Sequence, residues 1–180
     1  MSTDERTAGK SETAGIGITA DEFKRAFRHH PGGVAVVTAD AGGGPVAATL
    51  SSLASVSAEP PILIFSLSDM SSSSSTILQA GSFVAHLLDA GEIGIGKLAA
   101  THGAERFVEG SWDRYPSGEP YYLGVRNRLR CQIVDTVRAG TSTIVVGLVL
   151  EAAAIGDDVA TPLVYVNRAW HQLGPESEVA

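Results

Sequence analysis

The stretch GVAVVTADAGGGPVAATLSSLASVSAEPPILIFSL, residues 33–67, decides the fold of this chain. Apolar and β-branched runs at Val34–Ala39, Val46–Ser52 and Ile62–Ser68 predict three strands. The glycines of Asp40–Gly44 predict a turn between the first two strands. Small residues at the strand ends would let a flat ligand approach the backbone closely, because no bulky side chain intervenes. The stretch therefore predicts a β unit with a ligand-binding surface.

Short helices and further strands flank this unit. Thr19 and Glu22 match a capping box, which predicts the start of a helix with Phe23 and Phe27 on one face. The other predicted elements are a helix from Ser74 to Ala80, a buried strand Phe83–Leu88, a helix Ile93–Ala100, a half-buried strand around Leu129–Ile133, a strand Thr143–Leu150 and a closing hairpin Leu163–Leu173. Strands outnumber helices, which predicts a mainly β, antiparallel barrel with peripheral helices rather than a doubly wound α/β sheet.

Length and composition predict one globular domain. The chain has 180 residues, 44% hydrophobic and 18% charged, which is enough for one substantial core. We expect the domain to span residues 18–174, between polar tails at residues 1–17 and 175–180. The net charge of −7 argues against a nucleic-acid partner, because binding to a phosphate backbone relies on clustered Lys and Arg.

The sequence predicts a cytoplasmic protein without a metal. The opening MSTDERTAGKSETAG has no apolar segment typical of a secretory signal. No apolar run approaches the roughly 20 residues needed to cross a bilayer, so no membrane partner is expected. Cys131 is the single cysteine, which excludes an intrachain disulfide and is compatible with a reducing compartment. The histidines show no metal-ligand spacing with Cys131 or with carboxylates.

Three sequence motifs could bind an anion, and they differ in how strongly they indicate such a site. Gly91–Lys97 nearly matches a nucleoside triphosphate loop, but Leu98 replaces the hydroxyl residue that would hold Mg²⁺. A glycine-rich helix start is therefore the favoured interpretation. The run Ser71–Thr76 precedes a predicted helix, where hydroxyl and N–H groups could bind a phosphate; a flexible loop is the alternative. The third motif is a set of alternating arginines, Arg126, Arg128 and Arg130, which could bind phosphates or an acidic partner. A solvated strand face, or pairing with acids across a subunit interface, is favoured instead.

Several sequence pieces follow one another in a characteristic order. They are the helix Phe23–Phe27, Pro31, GVAVVTA from Gly33, TLSSLASVS from Thr49, Pro60-Pro61, Ser66-Leu67, SSTIL from Ser74, SFVAHLL from Ser82, ERF from Glu105, a strand with Cys131, and LVYVNRAWHQL from Leu163. Together they resemble the flavin reductase-like proteins with an FMN-binding split barrel. That family contains the reductase partners of two-component flavin monooxygenases. The resemblance implies an antiparallel Greek-key barrel and a homodimer with its site near the subunit interface.

The resemblance also implies a set of site residues. The positions assigned to the flavin are Thr49, Leu50, Ser51, Ser52 and Leu53 along the ring and ribityl chain, Ser55 and Val56 beside them, Ser73, Ser74, Ser75 and Thr76 at the phosphate, and Thr101 and His102 at the far end. Trp170 and His171 are expected to shape the nicotinamide site, since an aromatic and an imidazole can stack on and hydrogen-bond a flat ring. Ser142 is expected there too, at the position where many members carry a histidine.

The function expected from this resemblance is NAD(P)H-dependent flavin reduction. Hydride would pass from nicotinamide C4 to flavin N5, and reduced flavin would diffuse to a separate monooxygenase. The sequence leaves open FMN or FAD, and NADH or NADPH. Two alternatives also remain. The first, motivated by Ser142, is a flavoprotein that retains its flavin and oxidises or reduces an organic substrate itself, and the second is a non-catalytic flavin-binding or regulatory protein. A nucleoside triphosphatase is the most distant alternative.

Overall fold

The structure is a computed structural model that describes residues 17–153 and 161–179. The helices are α1 (Ala20–Phe27), α2 (Ser74–Gln79) and α3 (Ile93–Ala100), with 3₁₀ turns at Ala90–Glu92 and Pro175–Ser177. The strands are β1 (Gly32–Gly33), β2 (Ala35–Ala39), β3 (Val46–Leu50), β4 (Ala54–Ala58), β5 (Pro61–Ser68), β6 (Ser82–Leu87), β7 (Trp112–Arg114), β8 (Pro120–Tyr122), β9 (Arg128–Ala139), β10 (Ser142–Ala153), β11 (Leu163–Val166) and β12 (Ala169–Gln172). The tail expected at residues 1–17 lies, apart from Gly17, outside the described residues.

Seven strands form one antiparallel sheet in the order β3-β2-β6-β9-β10-β5-β4. A flat sheet of this size would be roughly 29 Å wide, at about 4.8 Å per strand. Its two end strands, β3 and β4, are joined by the link 51–53, and so short a segment spans at most about 14 Å between Leu50 and Ala54. The sheet must therefore curl until its ends approach each other. This curvature confirms the predicted antiparallel barrel with peripheral helices.

The core has two parts because β2 is buried on both faces. Val37 lies in the inner cluster with Phe65 and Phe83, whose rings meet edge to face at 5.1 Å. Val36 belongs to an outer cluster, which a second sheet of order β1-β11-β12 and helix α3 help to cover. The members of the outer cluster are Val34, Val36, Ala47, Leu88, Ala99, Tyr122, Val125 and Leu163. Two cavities lie against β3 and the C-terminal end of α3.

A buried histidine ties the barrel to the short β7–β8 sheet. His86 is fully buried; its Nδ1 lies 2.9 Å from the Val36 carbonyl oxygen, and its Nε2 accepts a hydrogen bond from the Tyr122 amide at 3.1 Å. These two contacts require the neutral ring with its proton on Nδ1. Burial lowers the pKa of His86, the Val36 hydrogen bond opposes this effect and the nearby Arg128 charge adds to it, and the resulting pKa is about 4.

Most predicted elements are confirmed, and the differences have local causes. Helix α3 has the predicted bounds, and Thr19 and Glu22 form the predicted capping box. Strand β4 was not predicted, because its alternation of alanine, serine and valine lacks the apolar contrast of a typical strand. Strand β1 was not predicted either, because two glycines carry no strand signal of their own.

Candidate functional site

The first of two adjoining cavities is mostly apolar and holds two aromatic rings. It has a volume of about 190 Å³ and is lined by Val34, Thr49, Leu50, Ser51, Ala100, Tyr165 and Trp170. Tyr165 and Trp170 come from the predicted closing hairpin, β11–β12, and their rings pack edge to face at 5.3 Å. A slot with aromatic and small apolar walls suits one face of a flat heterocycle. We refer to it as the aromatic cavity.

The second cavity is more polar and shares Thr49 and Ala100 with the first. It has a volume of about 290 Å³ and is lined by Ala47, Ala48, Thr49, Met70, Ser71, Ser72, Ala99, Ala100, His102 and Arg106. It combines hydroxyl groups, an imidazole and a guanidinium, which are groups that hydrogen-bond phosphate oxygens. We refer to it as the serine cavity. Because the two cavities share walls, one elongated ligand with an apolar end and an anionic end could occupy both.

Close packing between α3, β3 and the hairpin shapes the boundary of these cavities. The Thr49 hydroxyl donates to the Gly96 carbonyl oxygen at 2.7 Å, which fixes β3 against α3. A Cβ on Gly96 would lie 3.2 Å from two ring atoms of Trp170, so the glycine lets the indole pack directly on the helix. Gly96 therefore serves helix packing, and the motif Gly91–Lys97 leads into α3, as the favoured interpretation of a glycine-rich helix start predicted.

The serine run lines the serine cavity with its first two residues, and the assignment of Ser73–Thr76 to the phosphate stays a prediction. Helix α2 begins at Ser74, and the buried hydroxyls of Ser73 and Ser74 donate to the carbonyl oxygens of Ala47 and Ser68 at 2.8 and 2.7 Å. These two hydroxyls therefore hold the loop in place. Ser71 and Ser72 line the serine cavity instead. Neither Ser75 nor Thr76 is among its lining residues.

The other sequence-predicted residues divide between the cavities and the surrounding framework. Within the predicted ring segment, Thr49, Leu50 and Ser51 line the aromatic cavity. Ser52 accepts a hydrogen bond from the Ser66 amide, and Leu53 packs against the inner core. Two further predicted flavin residues, Ser55 and Val56, are exposed on β4, which is an end strand of the long sheet.

The predicted nicotinamide residues are not brought together within one chain. Trp170 lines the aromatic cavity. His171 is exposed and pairs with Val164 in the hairpin. Ser142 pairs with Ser68 at the start of β10, beside the loop that leads into the serine cavity. The three therefore remain predictions.

Arg106 is the main site residue that sequence reasoning missed. Its Nη1 and Nη2 atoms donate hydrogen bonds to the edges of the serine cavity, where it stands with His102. The ERF piece at Glu105–Phe107 contributed to the family resemblance, yet nothing in the local sequence shows that Arg106 reaches Ala47, 59 residues earlier. Thr101 lies beside the cavity and accepts one of these hydrogen bonds through its carbonyl oxygen.

Arg128 and Arg130 both contact other residues of the same chain. The Arg128 guanidinium lies 4.5 Å from the centre of the Tyr121 ring. Arg130 forms ion pairs with Glu119 at 3.6 Å and Glu151 at 3.3 Å. Arg126 precedes β9 rather than lying on it. Within residues 17–153 and 161–179, no group of three or more His, Cys, Asp or Glu side chains is arranged to hold a metal ion.

The antiparallel barrel carries an aromatic cavity beside a cavity lined by hydroxyl groups, an imidazole and a guanidinium. The Flavin reductase like domain model matches residues 27–174, and the chain belongs to that family. Within the described residues, no helix is long and apolar enough to cross a membrane.

Known proteins of similar sequence or structure are flavin reductases. An NADH:FMN oxidoreductase from Rhodococcus qingshengii is 36% identical over 162 residues, which cover 88% of this chain and 84% of the relative. The crystal structure of a flavin reductase domain protein from Arthrobacter sp. FB24 has a TM-score of 0.81 and 30% identity, covering 87% of this chain and 97% of that one. The flavin reductase component of a bacterial two-component tryptophan halogenase has a TM-score of 0.76 and 26% identity, covering 86% and 98%.

Proposed function

We propose that this protein is an NAD(P)H:flavin oxidoreductase that supplies reduced FMN or FAD to a separate monooxygenase. The observation that carries the proposal is the pair of adjoining cavities, one aromatic and one rich in hydrogen-bond donors, within a chain of the flavin reductase-like family. The R. qingshengii relative is named for NADH and FMN, and the halogenase component for a two-component system. Both names agree with the proposed reaction and with its partner.

The residues of the two cavities fit a flavin. The flat ring system is suited to the backbone of Thr49–Ser51 and the Trp170 ring, where small side chains leave room. The phosphate is suited to Ser71, Ser72 and Arg106, which supply hydroxyl donors and a positive charge. When both cofactors are bound, they supply the hydride transfer from nicotinamide to flavin. The protein's contribution is to align them and to restrict the access of water and oxygen.

The first test of this function is a consumption assay. The purified protein is mixed with NADH under air, with and without FMN or FAD, and the loss of NADH absorbance is followed. We expect NADH loss that depends on added flavin, and the faster flavin identifies the preferred substrate. Absence of NADH and NADPH oxidation by a protein that binds flavin would contradict the proposal.

A flavoprotein that retains its flavin is the second candidate, because Ser142 occupies the position of a family histidine that is associated with nicotinamide. This candidate predicts that flavin stays with the protein through gel filtration. It also predicts little turnover of added flavin by NADH. A reductase instead predicts that flavin separates from the protein in gel filtration and that NADH turns over added flavin rapidly.

We also propose that the chain forms a homodimer. Helix α1 has no buried residue, and its Phe23 and Phe27 side chains are 53% and 55% exposed with ring centres 4.7 Å apart. A pair of exposed phenylalanines is typical of a face that a partner covers. The homodimer and the cytoplasmic location expected from the sequence both remain predictions.

Phe27→Ser tests whether α1 contributes to the dimer. Burying one phenylalanine stabilises an interface by about 2 kcal/mol, and a symmetric dimer contains two copies, so we expect the dissociation constant of the dimer to rise by roughly three orders of magnitude. Sedimentation over a range of concentrations measures the change, with Lys24→Gln on the same helix as control. Dimerisation of Phe27→Ser at the wild-type affinity would exclude this face.

A further inference from the structure

Met70 carries an accessible sulfur atom at the wall of the serine cavity. The residue is 92% exposed and lines that cavity beside Ser71 and Ser72. Methionine is typical of apolar cores, where its flexible thioether fills gaps, so packing does not account for this position. Oxidation of a sulfur atom in a protein depends on the access of the oxidant. The exposure of Met70 therefore makes its thioether open to oxidation beside the proposed ligand.

The backbone on both sides of Met70 is held in place. The Asp69 amide donates to the Thr141 carbonyl oxygen at 3.0 Å. The Met70 amide donates to the Ser68 hydroxyl at 3.2 Å, and the Ser71 amide donates to the Ser68 carbonyl oxygen at 3.0 Å. Met70 is therefore fixed at the cavity wall by its neighbours, although its side chain lies in solvent.

The other sulfur atom of the described residues is protected from oxidation. Cys131 lies in the inner core with no exposed surface. Burial raises the pKa of its thiol to about 12, against the opposing effect of the Arg130 charge. The thiolate, which is the form that reacts with oxidants, is therefore scarcely formed at neutral pH. A mild oxidant should select Met70 over Cys131.

We propose that Met70 is a site of oxidation by hydrogen peroxide, and that its oxidation weakens flavin binding when reduced flavin is left unused. The proposal rests on the proposed function, because reduced flavin is the source of the peroxide. Reduced flavin that no monooxygenase consumes passes two electrons and two protons to dioxygen, which yields oxidised flavin and hydrogen peroxide. The Met70 sulfur then attacks the peroxide: an S–O bond forms, the O–O bond breaks, and the second oxygen leaves as water with both protons.

Oxidation of Met70 changes the polarity of the cavity wall. A thioether is apolar, whereas a sulfoxide is polar and carries a strong hydrogen-bond acceptor. At this position the acceptor repels the phosphate oxygens of the flavin and competes for the hydroxyl donors of Ser71 and Ser72. A disturbed hydrogen bond of this kind weakens binding roughly fivefold, so the KM for FMN should rise by about that factor. Methionine sulfoxide reductases reverse the modification.

The first part of the test locates the added oxygen by peptide mass spectrometry after two treatments. In one, the purified protein receives hydrogen peroxide alone, so the result does not depend on catalysis. In the other, the protein turns over NADH and FMN under air, with or without catalase. With added peroxide we expect oxygen on Met70 and none on Cys131. During turnover we expect oxygen on Met70 only when catalase is absent.

The second part of the test separates this effect from general damage by means of Met70→Leu, which is apolar but has no sulfur. Each protein is compared with its own KM for FMN before peroxide treatment. We expect the wild-type KM to rise about fivefold and to recover after treatment with methionine sulfoxide reductases, while that of Met70→Leu stays at its own starting value. Met70→Gln, whose amide oxygen imitates the sulfoxide, should show a raised KM without peroxide.

Two results would overturn the role of Met70: a thioether that stays unoxidised in the presence of peroxide, or a sulfoxide at Met70 that leaves the KM for FMN unchanged. A protein in which added peroxide oxidises Met70, but which consumes neither NADH nor NADPH with either flavin, would instead contradict the proposed function.

Discussion

Gly32→Ala should destabilise the protein and impair its flavin site, while Gly33→Ala should do neither. A Cβ on Gly32 would lie 2.5 Å from the Ser51 carbonyl oxygen and 3.1 Å from the Ser51 Cβ. The first distance is to backbone, which cannot move aside by a side-chain rotation. Overpacking of this kind costs about 1–3 kcal/mol of unfolding free energy. Ser51 lines the aromatic cavity, so the strain acts directly on the proposed ring site.

The adjacent glycine is a matched control for this change. A Cβ on Gly33 meets no atom within 4 Å, and both glycines belong to β1. Urea unfolding and the kcat/KM for FMN measure the two effects. A misplacement of about 1 Å near reacting groups can reduce a rate on the order of a hundredfold, so we expect the kcat/KM of Gly32→Ala to fall by up to about that factor. A Gly32→Ala variant with the stability and the kcat/KM of the wild type would contradict the close contact between residue 32 and the Ser51 backbone.

The stability of the protein should fall as the pH decreases from about 6.5 to about 4, because of His86. Its pKa in the folded protein is about 4, below the ordinary value of 6.5. The unfolded chain therefore binds a proton more readily in this range, so unfolding becomes easier as the pH decreases. The full stabilisation is present above pH 6.5. The difference between the His86 pKa values in the folded and unfolded states corresponds to a loss of roughly 3 kcal/mol of unfolding free energy once the pH reaches about 4.

His86→Gln should remove most of this pH dependence, and His29→Gln should retain it because His29 is exposed. Unfolding free energies measured in urea at several pH values between 7.5 and 5 provide the comparison. Carboxyl groups with lowered pKa values do not interfere in this range. For Asp40, burial opposes ionisation but hydrogen bonds from Arg114, Gly42 and Gly44 outweigh it, and its stabilisation is lost only below the ordinary value of 3.8. If the unfolding free energy of His86→Gln depended on pH as steeply as that of the wild type, His86 would not be the cause of this pH dependence.

The parts of the fold predicted from sequence are those determined by local patterns. The capping box at Thr19, the bounds of α3 and the hairpin Leu163–Leu173 depend on neighbouring residues, and all three are confirmed. The exposure of α1 could not be predicted, because an apolar helix face looks the same whether its own chain or a partner covers it.

The candidate site was only partly predictable because it is assembled from distant segments. The segment Thr49–Ser51 and the aromatic Trp170 were predicted and line one cavity. The serine run was predicted as a region, but the individual hydroxyls depend on where α2 begins and on acceptors such as Ala47. Arg106 was missed because its role follows from contacts with three other segments, none of which its sequence neighbourhood reveals.

The most direct test of the central claim is anaerobic mixing of the protein with NADH and a large molar excess of FMN. Without oxygen, reduced flavin accumulates, and the loss of the visible absorbance of oxidised FMN counts each turnover. We predict that one protein chain reduces many equivalents of FMN, because the flavin binds and leaves as a substrate. Bound FMN that stays oxidised, or reduction that stops at one equivalent per chain, would contradict the assignment as a flavin reductase.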